Sequence, residues 1–276
     1  MTLRFLAVAA AAALLVACSS DPDRPPPANP FKPEQASARE QRLAAGQLYK
    51  LARESLDNGD YQAAIQRYGQ LSLRFPFTDY AIQGQLESIY AKYRSFLPDE
   101  ALADADRFTR DYPRHAQAAY VQYLKGLINF DRDSGIFESL GFDTTRRDAG
   151  NARKSFDDFA LLVQKYPASP YAADARSRMI HLRNRIAAHE LTVVEYYVRR
   201  GAFVAASKRA EQIVAQYPGA PATIRALELL AESYDTLGLT DQAGDARRLG
   251  EAYRAAQVTA APEPVPAAAP PVAPQS

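Results

Sequence analysis

Four segments with helical apolar periodicity end on an aromatic residue followed by proline: Phe75-Pro76, Tyr112-Pro113, Tyr166-Pro167 and Tyr217-Pro218. Proline has no N–H to donate and clashes with the preceding turn, so each pair stops a helix. Glycine turns alternate with these stops, at Asn58-Gly59-Asp60-Tyr61, Arg200-Gly201-Ala202-Phe203 and Leu237-Gly238-Leu239-Thr240. Glycine adopts the positive φ that closes a helix, and Tyr61 or Phe203 then opens the next one. One aromatic-Pro pair would mean little. Four of them, in phase with glycine turns, specify an array of helix pairs rather than a generic bundle, and strand-like alternation is almost absent between them.

The spacing matches the tetratricopeptide repeat (TPR), a helix-turn-helix of about 34 residues. In the first unit Leu48, Leu51 and Ala52 line one helix; Tyr61, Ala64, Tyr68 and Leu71 line the other. Small Ala52 and Ala64 let the pair approach, and the tyrosines fill the groove toward the next unit. Val194, Tyr197, Phe203, Ala206 and Ile213 repeat the scheme, as do Leu227, Leu230, Ala231, Tyr234 and Ala243. A second unit with Ile89, Ala101 and Phe108 is looser. A third, with Gly126, Phe156, Phe159 and Leu162, is split by an insertion around Ser134 to Asp148. The expected fold is all-α, a TPR-like right-handed solenoid of about five helix pairs. No breaker interrupts the stretch from Ser169-Pro170 to Arg200, so the fourth unit opens with a helix of roughly 45 Å at about 1.5 Å per residue.

The ends read differently. Arg4, an apolar run from Leu3 and the small residues before Cys18 follow the order of an export signal over residues 1–17. Leu15-Val16-Ala17-Cys18 resembles the lipobox of bacterial lipoproteins, and Cys18 is the only cysteine. That resemblance implies a diacylglycerol and an N-acyl chain on Cys18; acylation would leave no thiol for a thiolate metal site, and no other cofactor or metal is expected. Two or more chains anchor a protein stably without spanning the bilayer, and Ser19 after the cysteine favours the outer membrane. Residues 18–37 carry six prolines and read as an extended tether. Repeats one to three occupy 38–168 and repeats four and five 169–257. The Ala/Pro-rich stretch 258–276 lacks the apolar content to fold.

The chain holds 33 Lys and Arg against 32 Asp and Glu, and loss of Arg4 with the signal would balance them. That excludes the basic excess of a general nucleic-acid binder. The histidines His115, His181 and His189 fall in no metal-ligand spacing, and there is no phosphate loop or nucleophile elbow. Asp157-Asp158 reads as a solvated helix face. The chain is therefore expected to be a non-enzyme that acts through its surfaces. Sixteen tyrosines stand without a tryptophan. Of these, Tyr68, Tyr90, Tyr93, Tyr120 and Tyr123 recur at helical spacing. Groove filling between repeats accounts for most of them; some could line a concave face that takes a peptide segment. The apolar insertion Ile136–Phe142 either folds back on the array or meets a partner. Arg209 and Glu211, on the second helix of the fourth unit, would be solvated charge if read alone.

Taken together, the lipobox, tether, repeats, third-unit insertion and long helix resemble the BamD/ComL family of outer membrane assembly lipoproteins. Asn151-Ala152-Arg153-Lys154-Ser155-Phe156 followed by Val163-Gln164-Lys165-Tyr166-Pro167 is similar to the family's third unit. Glu195-Tyr196-Tyr197 with Arg200-Gly201-Ala202-Phe203 is similar to its Glu-Tyr-Tyr…Arg-Gly-Ala-Trp stretch, with Phe203 in place of Trp. The likeness runs from Gln47 to about Tyr253. It implies a lipid-anchored protein on the periplasmic side of the outer membrane, within a machine that inserts β-barrel proteins. It implies N-terminal repeats that receive unfolded outer-membrane protein segments, and C-terminal repeats that dock on a POTRA domain of BamA beside other Bam lipoproteins. Arg209 in Lys208-Arg209-Ala210-Glu211 matches the arginine the family presents to BamA. Two other readings differ in kind. One is a repeat lipoprotein coordinating peptidoglycan synthesis, to be separated by affinity capture. The other is an envelope hydrolase, which would need a pocket of convergent acids or histidines.

Overall fold

The structure, a computed structural model, describes residues 37–133 and 149–259. The lipobox, most of the tether, the insertion and the C-terminal tail lie outside the described residues. Ten helices and no strand form among the described residues. They pair in chain order: α1 (Ala38–Asp57) with α2 (Tyr61–Arg74), α3 (Asp79–Arg94) with α4 (Pro98–Asp111), and α5 (Ala118–Asp133) with α6 (Gly150–Lys165). Next come α7 (Ala172–Arg199) with α8 (Phe203–Gln216), and α9 (Ala222–Thr236) with α10 (Thr240–Thr259). This is an all-α, TPR-like array.

At the start of α1, Ser37 and Glu40 form a reciprocal cap. The Ser37 N–H donates to Glu40 Oε2 at 2.7 Å, and the Glu40 N–H donates to Ser37 Oγ at 3.3 Å. These bonds hold the Glu40 carboxyl below its usual range, the Ser37 backbone N–H contributing most.

From Arg42 onward the helix ends obey the punctuation. Phe75, Tyr112, Tyr166 and Tyr217 are the C-caps of α2, α4, α6 and α8, and each donates its N–H to the carbonyl four residues back, at 2.8–2.9 Å. Proline then removes the next donor and turns the chain. At the opposite helix ends a different turn recurs. Asp60, Ala202 and Leu239 each donate an N–H to the carbonyl five residues earlier, around Gly59, Gly201 and Gly238 with φ of 77°, 69° and 75°. The second pair makes the same turn, Leu97 N–H to Lys92 carbonyl at 3.0 Å, with Phe96 at φ 58° where the others use glycine.

Close packing rests on small residues. A Cβ at Gly126 of α5 would lie 2.4 Å from the buried Phe159 ring of α6, and Ser155 Oγ donates to the Gly126 carbonyl at 2.9 Å. The buried apolar residues form two clusters. One runs from Ala45 to Ile186; the other holds Val194, Ile213, Leu227 and Ala246, with Leu191 packed against it. Both draw on α7, whose 28 residues span about 42 Å. The division between the clusters falls inside that helix, after Ile186. The reason is that the first turns of α7 seal the open face of the third pair: Ala175 and Leu182 are fully buried in the first cluster. No described helix is long and apolar enough to cross a membrane.

Candidate interaction surfaces

Four of the five tyrosines suggested for a peptide groove are interior. Tyr68, Tyr90, Tyr120 and Tyr123 are at most 8% exposed, so their rings offer no surface to an incoming segment. The hydroxyls of Tyr68 and Tyr123 explain their placement. Glu87 of α3, wholly buried, accepts hydrogen bonds from Tyr68 Oη of α2, from Tyr49 Oη at 2.8 Å and Arg53 Nη1 at 2.9 Å of α1, and from Gln83 Nε2 at 2.9 Å. A buried carboxylate is tolerated only when paired and bonded in this way. Tyr123 Oη donates to Asp174 Oδ2 at 2.6 Å, an oxygen shared with Arg178 Nε, and its ring stacks on Tyr171 at 5.0 Å. Burial pushes the Tyr49, Tyr68, Tyr120 and Tyr123 phenols above their usual range. Tyr93, half-buried, donates to Asp131.

Asp158 also departs from the solvated reading. It accepts from Asn129 Nδ2 at 2.8 Å and Gln122 Nε2 at 3.2 Å, and pairs with Lys125, which ties α6 to α5; Asp157 is exposed. His181 packs on Phe130, and His115 packs edge-on to Phe108. No group of three or more His, Cys, Asp or Glu side chains among the described residues could hold a metal ion.

Arg209 and Glu211 sit on the outer side of α8, both exposed. Arg209 Nη1 lies 3.5 Å from Glu190 Oε2, and Arg153 of α6 pairs with the other Glu190 oxygen. Glu190 is mostly buried on α7, at the point where the two apolar clusters meet. It thus holds one arginine from the third pair and one from the fourth. Sequence reasoning missed Glu190 because its partners stand 37 residues before it and 19 after it. With Nη1 paired to Glu190 and the side chain 46% exposed, Arg209 keeps donors open to solvent in the fork geometry that suits a carboxylate. Glu211 accepts from Tyr234 Oη of α9, and burial with that bond raises the Tyr234 phenol to about 12. On α7 and α8, Tyr196 and Val204 are half or more exposed, and Arg200 lies over the Tyr196 ring.

A cavity of about 390 Å³ opens between α2, α3 and α4, beside Gly69 and Ser88. Its charged wall is closed on itself, Lys92 bonding Asp104 at 2.8 Å and Glu100 at 3.3 Å. Sequence reading also passed over the exposed apolar side chains Leu73, Phe77 and Phe96. Phe77 follows the Phe75-Pro76 pair directly, and that adjacency was the available signal.

Helix pairs whose chemistry lies on their surfaces define a repeat scaffold of the tetratricopeptide type. Residues 41–249 match the family described as YfiO, outer membrane lipoprotein. The chain is 37% identical over 232 residues to the outer membrane protein assembly factor BamD of Vibrio cholerae, covering 84% of this chain and 90% of that one. It is 38% identical over 205 residues to BamD of Neisseria meningitidis serogroup A, covering 74% and 77% respectively. With BamD of Haemophilus influenzae it shares 34% over 253 residues, 91% of each chain. The chain belongs to the YfiO/BamD family, as the sequence resemblance implied. Its relatives are named as assembly factors, which agrees with the expectation of a non-enzyme.

Proposed function

We propose that this chain is an outer membrane protein assembly factor, lipid-anchored through Cys18 on the periplasmic side, that acts by binding. In this reading the C-terminal repeats dock on a POTRA domain of BamA through Arg209, with Glu211 beside it and other Bam lipoproteins in the same assembly. The observation that carries the reading is the guanidinium of Arg209. Glu190 holds it from below, which lowers the side-chain entropy lost when it meets a second carboxylate. A partner carboxylate that received its outward N–H groups would gain a charge-assisted, bidentate contact. The N-terminal repeats are the region proposed to receive segments of unfolded outer-membrane proteins. Of the five tyrosines first considered for that role, Tyr93 keeps partial surface.

Affinity capture from solubilised envelopes tests the docking. Arg209→Ala is expected to lower BamA recovery about tenfold or more, as expected for truncating a hydrogen-bonded interfacial charge, while the circular dichroism spectrum is unchanged. Glu190→Gln is expected to give a smaller loss, because it leaves Arg209 present but less fixed. BamA recovery equal to wild type with Arg209→Ala would remove this arginine from the interface.

A further inference from the structure

Successive helices run antiparallel, so the aromatic-Pro turns fall at one end of the helix pairs and the glycine-type turns at the other. The start of α1 belongs to the aromatic-Pro end: Arg42 pairs with Asp79, the first residue of α3, at 3.4 Å. Three apolar side chains stand out there in solvent: Phe77 at 99% exposure, Leu73 at 84% and Leu43 at 61%. The exposed cations Arg74, Arg110 and Arg114 stand along the same end, Arg110 paired with Asp111 and Arg42 with Asp79. Isolated exposed apolar residues are ordinary. A phenylalanine and two leucines beside a run of arginines are the composition that inserts into a lipid interface, the rings and branches entering the acyl boundary and the cations meeting phosphates.

We infer that the aromatic-Pro end of the first repeats, through Phe77, Leu73 and Leu43, lies against an anionic phospholipid surface. The inference rests on the proposed Cys18 anchor and adds a second, protein-borne contact to it. The occupant follows from the direction of the chain. Cys18 lies about 20 residues ahead of Ala38, a span of at most about 70 Å. Leu43, the first of the three apolar side chains along the sequence, follows only five residues after Ala38. The family model that matches the chain is that of outer membrane lipoproteins. A lipid chain at Cys18 raises the local concentration of bilayer, so even a shallow side-chain contact becomes occupied.

The sequence supplies a clean probe and its own control. The chain contains no tryptophan, so Phe77→Trp and Phe96→Trp each place one reporter in the full-length lipidated protein. Phe96 is also a surface residue, 91% exposed, but it lies at the opposite end of α3, whose 16 residues span about 24 Å. Each variant is reconstituted on vesicles of phosphatidylethanolamine and phosphatidylglycerol whose acyl chains are brominated near the headgroup, and vesicle flotation is measured on the same samples. The expected result is about twofold or greater quenching and a blue shift at Phe77→Trp, for a ring about 5–10 Å below the headgroups, with neither at Phe96→Trp. Equal quenching at both positions, or none at Phe77→Trp in protein that floats with the vesicles, overturns the contact and leaves the anchor standing. Protein that stays out of the floating fraction overturns the anchor, and the lipid contact falls with it.

Discussion

At Phe96 a bulky side chain occupies the left-handed backbone region that three sister turns give to glycine. The conformation costs an L-residue about 1–2 kcal/mol, and a ring in solvent returns little of it. Phe96→Gly is therefore expected to stabilise the fold by about 0.5–1 kcal/mol, less than the full strain because glycine loses more entropy on folding; a urea melt followed by circular dichroism reads the shift. Glu87 predicts the reverse. It gathers Tyr49, Arg53, Tyr68 and Gln83 around one wholly buried carboxylate. Glu87→Ala strands those donors and is expected to cost roughly 3–5 kcal/mol, as when one member of a buried charged pair is removed. The same melt measures it.

At the level of helices, the sequence declared the stops and hid the partners. Proline and glycine act locally, so Pro76, Pro113, Pro167 and Pro218 with Gly59, Gly201 and Gly238 mark helix boundaries without reference to the rest of the chain. The second unit makes the same backbone turn with Phe96 where the others carry glycine. What could not be read was which neighbour a helix face meets. The tyrosine stripe through Tyr90, Tyr93, Tyr120 and Tyr123 has the period of a buried face, and only the stacking of pairs decides whether that face meets a repeat or a ligand. Glu190 depends on three helices at once and leaves no local trace, and Arg209 was legible through the family likeness alone. The α5–α6 contact is the tightest of the glycine approaches: a Cβ at Gly126 meets the Phe159 ring at 2.4 Å. Gly126→Ala is expected to cost about 1–3 kcal/mol through overpacking. Adding Phe159→Leu is expected to return part of that loss in a double-mutant cycle.

Across the whole molecule, the interior holds phenols where many folds hold only hydrocarbon. Burial raises the pKa of Tyr68, Tyr120 and Tyr123, and Tyr234 reaches about 12. A phenol whose folded pKa exceeds its unfolded value of about 10 stabilises the fold fully below pH 10, and that contribution is lost as pH rises toward the folded value. Tyrosinate absorbance is thus expected to lag behind that of free tyrosine and then rise together with loss of helical ellipticity in an alkaline titration; early, gradual ionisation of all sixteen tyrosines with helicity intact would contradict this. The long helix α7 has a further consequence. Because its first half completes one apolar cluster and its second half begins the other, the two sets of repeats are joined like planks in a lap joint. A fragment ending at the loop before Ala172 would lose the buried Ala175, Leu182 and Ile186 and the Asp174 carboxylate that Tyr123 bonds, so neither fragment should survive as an independent body, and limited proteolysis there should degrade the array as one piece.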